Sequence, residues 1–349
     1  MAGRIALVVG SVLFALLVLE IGCRLWRGPE ALLDWSNIIL AERTKTRSTS
    51  DGRLTWHPQM GFVGRPGYAA DGVTHDAEGR RNVPAAPATS LAEPPVLVVG
   101  DSYAYGDEVS DRESWPALVQ ARLGRRVVNA GVSGYGLDQT VLQAERLAGD
   151  VKPAALVLVF IADNLRRAEM KRVWGAEKPW FVPADGGLRL HNVPVPRSPD
   201  PATTLDLWQR LFGWSVLVDT VLRHKGWQYE WSIDHLRISP RGTGAAMVCP
   251  LMQRIARLGV PTLVVAEYDP WVWKDADYER EQRRLSALVL DCARASGFAT
   301  LDLFEAIDAA VKRQGYDAIF RTSHPGPAGH VLAADRIAEA LSRSYIPPR

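Results

Sequence analysis

The chain has 349 residues, of which 47% are hydrophobic and 23% charged, with a net charge of +2 at pH 7. This composition excludes a disordered chain, and the balanced charge argues against nucleic acid or a strongly acidic partner. The length suits two average domains or one large α/β domain with insertions.

In chain order, the first feature is the apolar run Ile5–Ile21, interrupted only by glycine, serine and Glu20 near its end. As a helix it measures roughly 26 Å, near the short limit for crossing a bilayer core. Arg4 precedes it, and Arg24, Trp26 and Arg27 follow as interfacial anchors. No small-x-small cleavage site ends the run, so residues 1–27 read as a retained membrane anchor that holds the rest of the chain in the periplasm or outside the cell. Residues 28–95 read as a stalk, a small β flap and a linker. Turn signals stand at Asp51-Gly52, Arg65-Pro66-Gly67 and Asp71-Gly72, with β segments at Leu54–Trp56, Gly61–Val63 and Val73–His75. Pro84–Pro95, rich in Pro and Ala, is the linker.

From residue 96 a strand–helix rhythm sets in. Strands are expected at Val96–Val99, Arg126–Asn129, Ala154–Ile161, Val260–Ala266 and Ala299–Leu301. Helices are expected at Ser114–Leu123, Leu137–Leu147, Gly244–Leu258, Asp275–Ala295, Leu303–Gln314 and Pro327–Ser342. The alternation implies a mostly parallel five-stranded sheet covered on both faces, over residues 96–345. An insertion at about 165–243 interrupts it, carrying Trp174, Trp180, Trp208, Trp214, Trp227 and Trp231 and an amphipathic stretch, Leu205–Arg223. It either shapes the substrate entrance or lies against the membrane surface. Of the three cysteines, Cys23 adjoins the anchor. Cys249 and Cys292 could close one bridge in an oxidising compartment, and by default read as buried thiols.

The first strand runs into Gly100-Asp101-Ser102, at the carboxyl end of the sheet where functional groups gather. Asp101 and Ser102 could simply cap the next helix. The alternative is that Ser102 is a nucleophile, which needs a base to take its proton. Three further loops follow strand ends or precede the last helix: Asn129-Ala130-Gly131-Val132-Ser133-Gly134, Ile161-Ala162-Asp163-Asn164, and Ser323-His324-Pro325-Gly326. Converging in a parallel sheet, they supply an imidazole, close-approaching backbone amides and a side-chain amide. Those are the parts of acyl transfer. His330, further along, reads as helix surface, and the histidines show no metal-ligand spacing; no metal or other cofactor is expected.

In this order and spacing the blocks resemble the SGNH (GDSL-type) hydrolase superfamily, and in particular its membrane-anchored bacterial members, over about Val96–Ser342. The resemblance implies a flavodoxin-like, three-layer fold and ester hydrolysis through a seryl intermediate. It implies Ser102 as nucleophile, His324 as base, and an oxyanion hole of the Ser102 and Gly134 amides with Asn164.

Two positions depart from the family pattern. The third block reads Gly-x-Asn-Asp in the family, and here Asp163 stands in the asparagine slot with Asn164 behind it. A carboxylate there would repel an oxyanion, so either Asn164 swings in or Asp163 has another role. The triad acid lies three residues before the histidine in the family, and that position is Arg321. Arg321 is expected to point away from His324, toward a substrate carboxylate or phosphate, leaving the place to Asp317 or Asp163, or else the site is a Ser–His dyad. The favoured reading is a serine esterase removing O-acyl (acetyl) groups from a carbohydrate or cell-envelope substrate. An SGNH-type O-acyltransferase would use the same parts. The contrasting reading is a catalytically weak binding or scaffold protein in envelope polysaccharide assembly.

Overall fold

The computed structural model describes residues 2–41, 52–86, 89–90, 92–173, 176–184, 187–197, 205–227, 231 and 242–345. Trp174 and parts of the expected linker and insertion lie outside these residues. Two compact units are formed. One comprises Asp51–Val173, Lys178–Pro196 and Ile238–Arg349; the other comprises Met1–Ser50, Trp174–Glu177 and Arg197–Arg237.

The larger unit is built on five parallel strands: β1 (Val96–Val99), β2 (Val127–Asn129), β3 (Ala155–Phe160), β4 (Thr262–Ala266) and β5 (Ala299–Asp302). They lie in the order β5-β4-β3-β1-β2, the flavodoxin-like arrangement. In such a sheet the ligand crevice opens where the strand order reverses, between β1 and β3. All residues of β1, β3 and β4 are buried, which is why those strands read as continuous apolar runs. Their side chains still alternate. Leu97, Val99, Leu158 and Val264 pack with Val141 of helix Leu137–Val151, Leu251 of helix Thr243–Ala256 and Val289 of helix Ala276–Ala295. Val96, Val98, Val157 and Val265 face the other way, onto Trp115 of helix Trp115–Leu123, Ile307 of helix Phe304–Gln314 and Ile337 of helix Pro327–Ser344. Three layers result.

Ahead of the sheet, Leu54–His57 and Gly61–Gly64 pair as an antiparallel hairpin. Tyr135 Oη donates to Phe62 O (2.7 Å) and Gln139 Nε2 to Met60 O (2.9 Å), so the flap is tied to the start of helix Leu137–Val151. Among the elements of this unit that escape the sequence reading, one helix and one hairpin stand out. Helix Asp163–Glu169 follows β3, and Trp180–Ala184 pairs with Gly187–His191. The second has no clear alternation of apolar residues, and Pro183 breaks its strand signal.

The cysteines correct the default reading. Cys249 and Cys292 form a disulfide with Cα atoms 4.8 Å apart, joining helices Thr243–Ala256 and Ala276–Ala295. Cys249 is exposed and Cys292 is buried. Closing a loop between residues 43 apart removes unfolded-chain entropy worth about 4 kcal/mol at 25 °C. Chemical denaturation of the Cys249→Ala, Cys292→Ala chain should therefore show a loss of about 2–4 kcal/mol. A reductant should lower the midpoint of the wild type but not that of the double variant.

In the smaller unit, Ala2–Arg27 is one continuous helix. Its segment Gly3–Arg27 contains an 18-residue window of mean hydropathy 2.6 and is long and apolar enough to cross a membrane. The amphipathic stretch expected over Leu205–Arg223 is two helices, Leu207–Phe212 and Val216–Lys225, parted at Gly213 and Trp214.

Candidate active site

The turn after β1 is shaped by crowding. A Cβ on Gly100 would lie 2.6 Å from both the Ala104 Cβ and the Val159 carbonyl oxygen, so the position admits only glycine. Asp101 then caps the single helical turn Ser102–Tyr105, its carboxylate accepting from Tyr103 N at 3.0 Å. The other carboxylate oxygen accepts from Asn164 Nδ2 (2.8 Å) and Arg167 Nη1 (3.0 Å). Burial pushes the Asp101 pKa up, against the pull of Arg167 and Asn164. The capping role does not use the Ser102 hydroxyl, because Asp101 alone holds the turn through its side chain.

Ser102 Oγ lies 2.9 Å from His324 Nε2. On the far side of the ring, His324 Nδ1 lies 3.3 Å from Glu108 Oε1 and 3.2 Å from Ser323 Oγ. The Tyr103 ring packs on the imidazole with centroids 5.1 Å apart. Glu108 is therefore the carboxylate at the imidazole, which corrects the expectation of Asp317 or Asp163. Asp317 is exposed on the short helix Tyr316–Ile319. Asp163 is bound by Arg166 and by Arg167 Nε (2.8 Å).

Glu108 is fixed from several directions. Its carboxylate accepts from Thr322 N (2.9 Å), Ser323 N (3.1 Å) and Ser323 Oγ (2.8 Å), and its carbonyl accepts from Arg321 Nη1 (2.8 Å). Its φ of +67° is in the left-handed region, which a residue with a Cβ enters only when its surroundings demand it. Arg81 supplies part of that demand. Its buried guanidinium donates to the carbonyls of Tyr105 (2.9 Å), Gly106 and Val109 (2.6 Å) and to Asp111 (2.9 Å), clasping the loop on both sides of Glu108. The Arg321 guanidinium, expected to reach toward a substrate anion, donates instead to this loop.

These contacts set the charges. The hydrogen bond from His324, aided by Ser323, overrides burial and pulls the Glu108 pKa down to about 2. Burial alone would lower the His324 pKa; the Glu108 hydrogen bond and the charges of Asp107, Glu108 and Asp101 outweigh it and leave the pKa raised.

The second loop approaches through Gly131, where a Cβ would lie 2.5 Å from Tyr105 N. Asn129 Oδ1 accepts from Gly131 N (3.0 Å) and Val132 N donates to Gly100 O (3.0 Å), which fixes this loop against the first. Gly134 has φ +87°. Among the described residues, neither the Ser102 nor the Gly134 amide donates a hydrogen bond.

Asn164 does not join them. Its Oδ1 accepts from Ile161 N (3.0 Å), its Nδ2 donates to Asp101 and to Tyr135 O (3.1 Å), and its side chain is fully buried. This corrects its expected place in the oxyanion hole: the amide is used to brace the first loop against the third. The repulsion foreseen for Asp163 is answered by its two arginines. His330 is also corrected, being buried, with Nδ1 accepting from Trp115 N (3.2 Å) and burial holding its pKa down to about 3. Among the described residues no three or more His, Cys, Asp or Glu side chains form a metal cluster.

The sequence profile of the GDSL-like lipase/acylhydrolase family matches residues 98–332. No curated protein is significantly similar in sequence. Among solved structures, the chain is similar to LAE5, an alpha/beta hydrolase enzyme from the metagenome of Lake Arreo, Spain. The identity is 15%, the TM-score 0.45, and the match covers 71% of this chain and 95% of that one. A lipolytic protein of the G-D-S-L family from Veillonella parvula is similar at 12% identity and TM-score 0.43, over 71% of this chain and 98% of its own. A catalytic mutant of Axe2, an acetylxylan esterase from Geobacillus stearothermophilus, is similar at 14% identity and TM-score 0.45, over 73% and 97%.

Proposed function

Since the chain belongs to the GDSL-like lipase/acylhydrolase family, we propose that it is a serine ester hydrolase whose triad is Ser102, His324 and Glu108. The observation that carries this reading is the relay from Ser102 Oγ through both imidazole nitrogens to Glu108. Ser102 Oγ attacks the acyl carbonyl carbon as its proton passes to His324 Nε2. The imidazolium so formed is stabilised by the Glu108 carboxylate. The Ser102 and Gly134 amides donate to the developing oxyanion. On collapse, the alkoxide leaves with the proton from Nε2 and the acyl group stays on Ser102. Water then repeats the sequence, giving its proton to His324 and releasing the acid.

The proposed substrate carries small O-acyl groups on a carbohydrate or cell-envelope polymer. Trp271 supports it: 61% exposed, it belongs to the turn Pro270–Trp273, which follows β4 at the carboxyl end of the sheet. An exposed indole face there suits a sugar ring. A catalytically weak scaffold loses its main support, because a carboxylate does stand at the imidazole. The proposal further takes Ala2–Arg27 as a membrane anchor and the catalytic unit as lying outside the cytoplasm. The Cys249–Cys292 disulfide favours an oxidising compartment.

A fluorophosphonate ester tests the chemistry, because only an activated serine is phosphonylated. Mass spectrometry of the full chain should find one adduct on the peptide containing Ser102, and none after His324→Ala. Absence of an adduct on the wild type would sink the proposal.

A further inference from the structure

An acidic residue inside an apolar helix is costly unless it is paired. Glu20 is the one acid in helix Ala2–Arg27, and its carboxylate takes four donors: Arg24 Nε (2.7 Å), Ser215 Oγ (2.7 Å), Val216 N (2.9 Å) and Leu217 N (3.0 Å). Arg24 is fully buried and donates to the carbonyls of Ala31 (2.6 Å), Asp34 (2.6 Å) and Trp214 (2.7 Å). Arg27 pairs with Asp219 at 2.5 Å. The end of the apolar helix is thus pinned to the first turn of helix Val216–Lys225.

The pin fixes a depth. From Arg4 to Arg24 the helix rises about 30 Å, the thickness of a hydrocarbon core. When that length spans a bilayer, Arg24 stands at the boundary of the core and Glu20 about one turn inside it. Ser215–Leu217, bound to Glu20, are held at the same level. The adjoining helix Leu207–Phe212 turns Gln209 inward and leaves Leu207 (65%), Trp208 (61%), Leu211 (49%) and Phe212 (42%) exposed. The Trp208 and Phe212 rings stack at 5.9 Å, and the half-exposed Trp35 and Trp214 rings lie 5.6 Å apart. An apolar surface of this kind, rich in tryptophan and followed by Asp219 with its partners Arg27 and Arg223, has the character of a membrane-interface belt.

We propose that residues 207–214, with Trp35, form a collar that sits in the headgroup–acyl boundary of the same bilayer that helix Ala2–Arg27 crosses. The collar rests on the reading of that helix as a membrane span. Its occupant is lipid, because the surface is continuous with a helix whose own side chains face lipid. The Glu20–Arg24 pin transmits the helix's depth to the collar.

The test uses the full chain in vesicles of phosphatidylcholine and phosphatidylglycerol. Cys23→Ser removes the one free cysteine. An environment-sensitive fluorophore is then placed at Leu211→Cys, with a second collar label at Trp208→Cys as a guard against misfolding, and each variant must keep the wild-type circular dichroism. Leu13→Cys in the helix and the exposed Val331→Cys serve as lipid and water references. With lipids brominated high on the acyl chain, both collar labels should be quenched about threefold or more above position 331, as expected of groups about 5–10 Å into the boundary. Collar labels quenched no more than position 331, while position 13 is quenched, would overturn the collar and leave the span standing. No quenching at position 13 would refute the span, and the collar with it.

Discussion

Ser102→Ala should reduce hydrolysis of a small acetyl ester by about 10⁴- to 10⁶-fold while leaving the thermal unfolding curve in place. The loss is large because, among the described residues, no other hydroxyl bonds to His324 Nε2. The fold is spared because, among the described residues, the Ser102 hydroxyl bonds only to that nitrogen, while the turn is held by Asp101 and the packing of Ala104 under Gly100. His324→Ala should cost about as much, and the two together little more than either, since a nucleophile and its base act as one unit. Steady-state rates of the three variants check this. Losses that multiply would show that Ser102 and His324 do not work together.

The sheet was legible because a strand buried on both faces must be apolar throughout, and Val96–Val99 and Ala155–Phe160 are. Helix ends were legible where chemistry marks them, as at Pro116 and Pro327 in first turns. The His330 error was avoidable. Ala333, Ala334, Ile337 and Leu341 define the buried stripe of the last helix, and His330 lies three and four residues before the first two of them. The hairpin Trp180–His191 was not legible, because neither strand alternates cleanly and Pro183 interrupts the first.

Within the candidate site, legibility followed the backbone. Gly100 and Gly131 announce close approaches that no other residue allows, and they frame the loops bearing Ser102 and Gly134. Glu108 carries no such mark. It sits in a polar turn with no periodicity, six residues beyond Ser102, and reaches His324 through a left-handed φ imposed by Arg81 and Arg321, residues distant in sequence. The one available signal was the Asp107-Glu108 pair so soon after the serine. Arg321 stands in the expected acid position, but its guanidinium donates to the carbonyl of Glu108, on another loop.

Glu108→Gln is the variant that tests this substitution of one acid for another. Turnover should fall by about 10²- to 10⁴-fold, the upper figure being the cost of neutralising the acid of a serine protease triad. Asp317→Asn, at an exposed position, should leave the rate unchanged, because among the described residues the hydrogen-bond partners of the imidazole are Glu108, Ser323 and Ser102. The pH profile gives a second, independent readout. The base must be neutral, so kcat/KM falls as pH drops through the His324 pKa. In the wild type that pKa is raised, with Glu108 the main cause opposing burial, so the acid limb should lie above the ordinary histidine value of about 6.5. Removing the carboxylate charge leaves burial less opposed, and the pKa must move down. The acid limb of Glu108→Gln should therefore shift to lower pH even as the plateau collapses. A glutamate that merely braced the loop would lower the plateau and leave the limb in place. An unmoved limb would remove Glu108 from the triad and leave Ser102 and His324 as a dyad.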